Sequence, residues 1–114
     1  MQDCLFCKMV QKQIPVRAAF EDETVLAFHD IAPQAPVHIL VIPKKHFRNI
    51  MEVGADDGEL VAHLFEVARA LARENHLEGN GFRLVVNTGR DGGQTVEHLH
   101  IHLLGGRGFG WPPG

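Results

Sequence analysis

Apolar side chains recur along this chain with helical spacing in two segments. The first is short, falls around Leu5–Val10, and must end before Pro15. The second is long and covers residues 55–77, with Asp56 available to cap its start and Gly79 just beyond its end. One face of this long helix is apolar, and its members are Leu60, Leu64, Val67, Ala68 and Leu71. The pattern therefore predicts one short and one long helix.

Other segments carry the β-branched and alternating apolar residues that are typical of strands. The predicted strands are residues 17–20, 24–28, 38–42, 82–87 and 96–104. An acidic turn at 21–23, a loop with two prolines at 31–36 and a glycine-rich loop at 88–94 separate them. Predicted strands precede and follow one long helix along the chain. This order predicts an α+β fold, in which the helix packs on one face of an antiparallel sheet of about five strands.

Composition limits what such a chain can be. The 114 residues suffice for one domain, which we predict to span residues 1–114. Hydrophobic residues make up 45% and charged residues 22%, which excludes a disordered tail or a fibre. The longest apolar run, residues 39–42, is far shorter than the roughly 20 residues of a membrane helix. We expect no membrane partner.

Charge and cysteine usage narrow the class further. The net charge of −3 comes with no basic stripe, so we expect no nucleic-acid partner. The chain start lacks the basic and apolar regions of a secretory signal. Its two cysteines are too few for a disulfide scaffold. These features predict a cytoplasmic protein with reduced thiols.

Histidine is unusually frequent, with eight residues, and three of them alternate with aliphatic residues near the end of the chain. Side chains alternate between the faces of a strand, so the three imidazoles should share one face, about 6.6 Å apart. The histidines are His98, His100 and His102, and the aliphatic residues are Leu99, Ile101 and Leu103. Three interpretations remain open: a polar face without function, a metal site, or a histidine nucleophile that forms a covalent intermediate.

A loop rich in hydrogen-bond donors precedes this strand. Asn87, Gln94 and Thr95 provide neutral donors, and the glycines at 92 and 93 let backbone amides approach an anion. Taken alone, the loop is an ordinary hairpin connection. Because it leads directly into the three histidines, it favours a phosphate held beside an imidazole nucleophile.

Cys4 and Cys7 form a C-x-x-C pair with three interpretations. The first is a redox motif, but the βαβ pattern that usually surrounds such a motif is missing around this pair. Two buried thiols on a helix would need no further partner. Half of a structural zinc site would require two more ligands, for which histidine is suitable.

Four separate motifs together resemble the histidine triad superfamily, in particular its nucleotide-binding Hint branch. They are the His-x-His-x-His pattern followed by two apolar residues, residues 28–38, residues 40–46, and the tail at 104–107 and 111–114. The resemblance covers nearly the whole chain. The sequence carries Thr95 where many Hint proteins have serine.

This resemblance implies a homodimer with a continuous antiparallel sheet that binds purine nucleotides. It also implies hydrolysis of adenosine 5′-phosphoramidates, and of related nucleoside phosphoramidates, to the nucleoside monophosphate and an amine. His100 would be the nucleophile, His102 would contact the phosphate, His38 would support the imidazole network, and Thr95 would contact the leaving group. The chemistry requires no cofactor. The alternatives are a dinucleoside polyphosphate hydrolase or nucleotidyl transferase, or a nucleotide-binding signalling module.

The resemblance also implies nucleotide contacts. Asp30 would accept the ribose hydroxyls, although its sequence context alone favours a turn residue. The base would lie against Phe6, Phe28, His29 and Ile31, of which the two phenylalanines could instead be core. The further implied nucleotide-binding positions are Asn87, Gly93, Gln94, Thr95, Val96, His100 and His102.

Some bacterial members of the superfamily, and the related galactose-phosphate uridylyltransferases, have a zinc site that this sequence resembles. The corresponding ligands are Cys4, Cys7, His46 and His98, so a structural Zn²⁺ would tie the N-terminal helix segment, residues 1–14, to the triad. The tail, residues 105–114, holds the only tryptophan, Trp111. We expect this tail to dock near the active site of the dimer partner.

Overall fold

A computed structural model describes residues 3–114, so the first two residues of the predicted N-terminal segment lie outside the described part. Five strands form one sheet in the order β1-β2-β3-β5-β4, and every neighbouring pair is antiparallel. They are β1 (Ala18–Glu21), β2 (Val25–His29), β3 (Val37–Pro43), β4 (Phe82–Val85) and β5 (Ile101–Gly105). The predicted α+β fold with a five-stranded antiparallel sheet is confirmed.

Helices α1 (Leu5–Val10) and α2 (Gly58–Glu74) match the two predicted helical segments, but α2 is shorter than predicted. Ala55–Asp57 forms a separate 3₁₀ turn, in which the carboxylate of Asp57, not Asp56, accepts the Gly54 N–H at 2.9 Å. At the other end, His76 has a φ of 61°, and this left-handed conformation ends the helical path. Among the described residues, no helix is long and apolar enough to cross a bilayer.

The predicted loop at 88–94 contains a single helical turn, α3 (Gly89–Gly92). It ends at Gly93, whose φ of 80° lies in the left-handed region that glycine adopts without steric cost.

The last strand was predicted from residue 96 but begins only at Ile101, so that prediction is wrong over its first half. The backbone turns before the strand, because His98 N–H donates to the Val96 carbonyl at 2.9 Å and Leu99 N–H donates to the Phe47 carbonyl at 2.7 Å. Of the three triad histidines only His102 lies in a strand. His98 and His100 lie in the bent segment before it.

Both faces of the sheet are covered. On one face the strands pack against α2, through Val25, Ala27, Ile39, Val41, Leu64, Val67, Ala68, Leu71, Ile101 and Leu103. On the other face Phe6 of α1 packs against Leu26, Phe28, Leu40 and Ile42. In this second layer α1 lies beside the bent segment that precedes β5, next to the triad histidines.

Candidate functional site

The imidazole of His100 is buried and has one nitrogen fixed by the backbone. Its Nδ1 lies 2.7 Å from the carbonyl oxygen of His98. A carbonyl can only accept, so Nδ1 carries the proton and Nε2 keeps its lone pair. The ring of Phe6 contacts this imidazole edge-on, with centroids 5.2 Å apart. His100 therefore presents a nucleophilic nitrogen in a fixed orientation.

A chain of hydrogen bonds also fixes the protons of His38 and His102. The backbone N–H of Gln34 donates to His38 Nδ1 at 3.0 Å, so the proton of a neutral His38 is on Nε2. Nε2 lies 2.9 Å from His102 Nδ1, which must accept. The proton of His102 is then on its Nε2, which makes His102 a donor next to His100, with ring centroids 4.8 Å apart.

The electrostatics of the site keep these rings neutral at pH 7. Burial lowers the pKa of His102 to about 4, and the neighbouring His100 and His38 add to the effect. Burial also lowers the pKa of His100 and of His38, against the opposing influence of the Asp30 charge. A neutral His100 can use its lone pair, and the hydrogen bonds described above apply to neutral rings.

A cleft of about 220 Å³ opens onto His100 and His102. It includes nine of the predicted site residues: Phe6, Phe28, His29, Asp30, Ile31, Thr95, Val96, His100 and His102. A larger recess of about 490 Å³ adjoins it at Leu5, Thr95 and Val96 but contains none of the three histidines of the cleft. The smaller cleft is therefore the candidate active site.

Sequence reasoning missed six lining residues: Leu5, Met9, Pro15, Val16, Arg17 and Leu40. One of them, Met9, had a usable signal in the sequence. Met9 is three residues after Phe6 and so shares its helix face. Leu40 lies in a predicted strand, but its pairing with His102 depends on strand order, which the sequence does not reveal.

Three predicted nucleotide contacts, Asn87, Gly93 and Gln94, do not line the cleft. The side-chain amide of Gln94 instead organises the loop: its Oε1 accepts from Gly89 N–H at 2.9 Å, and its Nε2 donates to the Arg48 carbonyl at 2.8 Å and the Val96 carbonyl at 3.0 Å. In this conformation both Gln94 donors are used by the backbone.

The turn interpretation of Asp30 is confirmed, and the ribose contact stays a prediction. One carboxylate oxygen, Oδ1, accepts the Ala32 N–H at 2.8 Å, as in a turn. The other, Oδ2, lies 3.5 Å from His38 Nε2, and the residue lines the cleft. One oxygen therefore shapes the turn, and the other lies at the imidazole pair.

A second cluster lies behind the triad and joins the four predicted metal ligands, Cys4, Cys7, His46 and His98, with all donor atoms within 4.8 Å of one another. The sulfur–nitrogen distances are 3.3 Å from Cys4 to His98, 3.3 Å from Cys7 to His46 and 3.6 Å from Cys7 to His98. The two Nδ1 atoms of His46 and His98 are 3.1 Å apart.

These distances suit zinc. Tetrahedral coordination at usual bond lengths separates sulfur from nitrogen by about 3.5 Å and nitrogen from nitrogen by about 3.3 Å. The tautomer of His98 also fits, because its Nε2 donates to the Pro43 carbonyl at 2.8 Å and leaves Nδ1 free for a metal. Burial raises the pKa of the Cys7 thiol, so a cation at this position would be needed to hold it as thiolate.

The C-terminal tail runs along its own subunit as far as Gly110. Phe109 lies between the guanidinium groups of Arg107, 4.3 Å from the ring centroid, and Arg83, 5.2 Å from it. Beyond it, Trp111 is 86% exposed. An exposed tryptophan is consistent with a surface that contacts something else, which leaves the predicted docking on a partner subunit open.

Known proteins match both the sequence and this fold. The family model of the HIT domain matches residues 11–109. An uncharacterised HIT-like protein of Synechococcus elongatus is 51% identical over 113 residues, covering 99% of this chain and 98% of the relative. The structure is similar to that of a HIT family hydrolase from Legionella pneumophila, with a TM-score of 0.96, 53% identity, and 98% and 100% of the two chains covered. It is also similar to a histidine triad protein from Clostridium difficile, with a TM-score of 0.92, 42% identity and 96% coverage of each chain.

The chain therefore belongs to the HIT domain family. Its structure places it with the HIT family hydrolases.

Proposed function

We propose that the protein hydrolyses purine nucleoside 5′-phosphoramidates, with adenosine 5′-phosphoramidates as the type substrate, to the nucleoside monophosphate and an amine. The observation that carries the proposal is the fixed tautomer of His100. Its Nδ1 proton is bound to the His98 carbonyl at 2.7 Å, which leaves the Nε2 lone pair of this cleft-lining residue free to attack. An imidazole held in this way is a nucleophile toward phosphorus.

The reaction proceeds in two displacements. The Nε2 lone pair of His100 attacks phosphorus and forms a P–N bond, while the bond from phosphorus to the substrate nitrogen breaks. That nitrogen takes one proton from solvent, relayed by the Thr95 hydroxyl, and leaves as an amine. Water then attacks phosphorus, the bond to Nε2 breaks, and the electron pair returns to His100. The proton lost by water goes back to solvent, so the protein is unchanged.

The other imidazoles hold the phosphoryl group during both displacements. His102 carries its proton on Nε2 because Nδ1 accepts from His38 at 2.9 Å. This N–H is a preorganised donor for a phosphoryl oxygen on which charge develops, and such donors stabilise transition states strongly. His38 acts through His102, and does not itself reach the phosphate in this scheme.

The remaining lining residues account for a nucleoside. Phe28 and Phe6, whose ring centroids are 5.3 Å apart, form an apolar wall, and the fully exposed Ile31 can close over a base. The Asp30 oxygen that the turn does not use, Oδ2, can accept from ribose hydroxyls. Apolar walls with one acidic group describe a nucleoside site better than a site for a free anion.

We also propose that the Cys4, Cys7, His46 and His98 cluster holds a structural zinc ion. Zinc would link α1 to the segment before β5, and would thereby fix the position of Phe6 over the triad. With four protein ligands the coordination would be complete, which is the arrangement of structural rather than catalytic zinc.

A homodimer is the third proposal. Strand β4 is an edge of the sheet, and its Phe82 is 39% exposed. Phe65 of α2, 48% exposed, lies one helical turn before Arg69, which shares a surface recess with Phe82. An edge strand flanked by exposed aromatic residues favours pairing with a second copy.

Substrate choice separates the enzyme classes. Purified protein and the His100→Ala variant are incubated with an adenosine 5′-phosphoramidate and, separately, with a diadenosine polyphosphate. We expect rapid release of the monophosphate and the amine from the first, lowered about 10⁴-fold or more in the variant. Preferred cleavage of the second would replace our proposal by a dinucleoside polyphosphate hydrolase. Nucleotide binding without cleavage of either would indicate a binding module.

A further inference from the structure

We propose that Arg107, which lies outside the cleft, is a positioning residue that fixes the protons of the His38–His102 pair through the backbone of Gln34. Nothing in the reaction scheme above uses Arg107 or the tail that carries it. The inference goes beyond the proposed function in assigning a role to this tail within its own subunit.

Two hydrogen bonds meet at Gln34. Its carbonyl accepts from Arg107 Nε at 3.0 Å, and its N–H donates to His38 Nδ1 at 3.0 Å. His38 Nε2 continues the chain to His102 Nδ1 at 2.9 Å. A single residue of backbone therefore connects the guanidinium group on the tail with the imidazole pair.

The loop that carries Gln34 has few other attachments. Residues 31–34 and 36 are exposed, and the bonds that Ala32 N–H makes to Asp30 and Gln34 Nε2 makes to the Ala32 carbonyl are internal to the loop. Among the described residues, Arg107 is the one hydrogen-bond partner of the loop from outside residues 30–38. Exposed backbone with little packing opens readily, so the backbone conformation of Gln34, which sets the direction of its N–H, depends on this contact at its carbonyl.

Packing supports the same contact. Gly106, with a φ of 90°, lies so close to Pro36 that a Cβ there would be 2.8 Å from the proline ring. The tail therefore sits directly on the loop. Arg107 is itself held, because its Nη1 donates to the Gly108 carbonyl at 2.9 Å and its guanidinium lies over the Phe109 ring.

Loss of the Arg107 contact has a specific consequence. If the freed Gln34 carbonyl lets the backbone torsions of Gln34 change and its N–H turns away, His38 Nδ1 loses its donor and His38 can adopt either tautomer. With the proton on Nδ1, His38 would accept from His102, and the proton of His102 would move to its Nδ1. His102 would then present a lone pair, instead of a donor, to the phosphoryl oxygen. This change reduces the stabilisation of the transition state more than it reduces the affinity for the substrate.

Arg83 provides a matched control. Like Arg107, it lies over the Phe109 ring and donates to a backbone carbonyl of the tail, that of Gly110 at 2.9 Å, but it makes no hydrogen bond to the loop. Arg107→Met and Arg83→Met therefore each remove a guanidinium over Phe109 and a hydrogen bond to a tail carbonyl, and Arg107→Met also removes the contact with Gln34. Both side chains lie near the surface, and thermal unfolding verifies that both variants are folded.

The experiment compares imidazole ¹⁵N chemical shifts and steady-state kinetics for the two variants. We expect Arg107→Met to mix the tautomers of His38 and His102 and to lower kcat about threefold to tenfold, the range of one ordinary hydrogen bond, with little change in KM. Arg83→Met should leave the shifts and kcat as in the unmodified protein. Arg107→Lys, which keeps a cationic donor, should recover part of the lost kcat.

Unchanged ¹⁵N shifts in Arg107→Met would overturn the proposal, as would equal effects of the two methionine variants, which would show a general role of the tail. The kinetic measurement rests on the proposed phosphoramidase function, whereas the ¹⁵N measurement does not. Failure of the protein to cleave any phosphoramidate would therefore leave the tautomer result to decide the role of Arg107.

Discussion

His38 Nε2 and His102 Nδ1 are 2.9 Å apart, and the proton between them belongs to His38. The assignment follows from the Gln34 N–H, which occupies the other nitrogen of His38. In the proposed reaction this relationship makes His102 a hydrogen-bond donor to the phosphate, and the bond to the His98 carbonyl makes His100 the nucleophile. Two adjacent histidines thereby receive opposite roles from the backbone groups around them.

The first prediction concerns this pair. His38→Ala should lower kcat about tenfold, because a buried acceptor left without its donor costs about 1–3 kcal/mol. His38→Gln should be less impaired, since its amide nitrogen can take the place of Nε2. His63→Ala, on the outer part of α2, serves as the control. Equal kcat for the His38→Ala and unmodified proteins would contradict the assignment.

The metal cluster predicts one equivalent of zinc in protein purified without chelators. Cys7→Ser should lose the metal and lower the melting temperature, because the link between α1 and the triad segment is broken. A strong chelator should lower the melting temperature of the unmodified protein toward that of the variant and have no effect on the variant. Metal-free protein with an unchanged melting temperature in chelator would exclude the structural zinc.

A third prediction uses the ion pair between His63 and Asp22, whose Nε2 and Oδ2 atoms are 2.6 Å apart. Hydrogen bonds to Asp22 and Glu66 raise the pKa of His63 above its ordinary 6.5. Burial opposes ionisation of Asp22, but bonds from His63 and from the Thr24 and Val25 N–H groups outweigh it and lower the pKa below 3.8.

The sign of the pH dependence follows from these shifts. The raised pKa of His63 stabilises the fold below pH 6.5, and this contribution is lost as pH rises through the folded-state value. The Asp22 contribution is present above pH 3.8 and is lost in stronger acid. His63→Gln should therefore destabilise most near pH 5, by at most about 1 kcal/mol for so exposed a pair. Urea unfolding at pH 5 and pH 9 tests this, and an equal loss at both values would contradict it.

The dimer proposal predicts that Phe82→Glu yields a monomer in light scattering at a concentration at which the unmodified protein is a dimer. A charge on an edge strand opposes strand pairing. Met51→Glu changes another exposed apolar residue, away from the edge strand, and should leave the dimer intact. Monomeric unmodified protein would refute the proposal directly.

The sequence predicted those parts of the fold that depend on side-chain periodicity. The apolar face of α2 and the buried strand β3 both follow from the spacing and type of their residues. The late start of β5 did not, because the same alternation of His and aliphatic residues suits a strand or an extended bend. Here the pairing of Leu99 N–H with the Phe47 carbonyl decided the outcome, and such long-range backbone bonds leave no mark on residue type.

The candidate site, like the fold, was predicted from the sequence only in part. Most lining residues and the four-residue metal cluster were predicted, because a recognisable motif carries them. The use of Gln94 within its own loop and the backbone bonds that set each tautomer were not. Every residue has a backbone carbonyl, and every residue except proline also has a backbone N–H. Only the folded geometry therefore reveals which of these groups faces an imidazole.

The central claim is that His100 Nε2 bonds to phosphorus during turnover. Rapid acid-free quenching during hydrolysis of an adenosine 5′-phosphoramidate, followed by peptide mass spectrometry, tests it most directly. The account predicts a transient adenylyl group on the peptide that contains His100, localised to that residue and missing from His100→Ala. Turnover by His100→Ala at a rate close to that of the unmodified protein, or an adduct localised to His102, would contradict it.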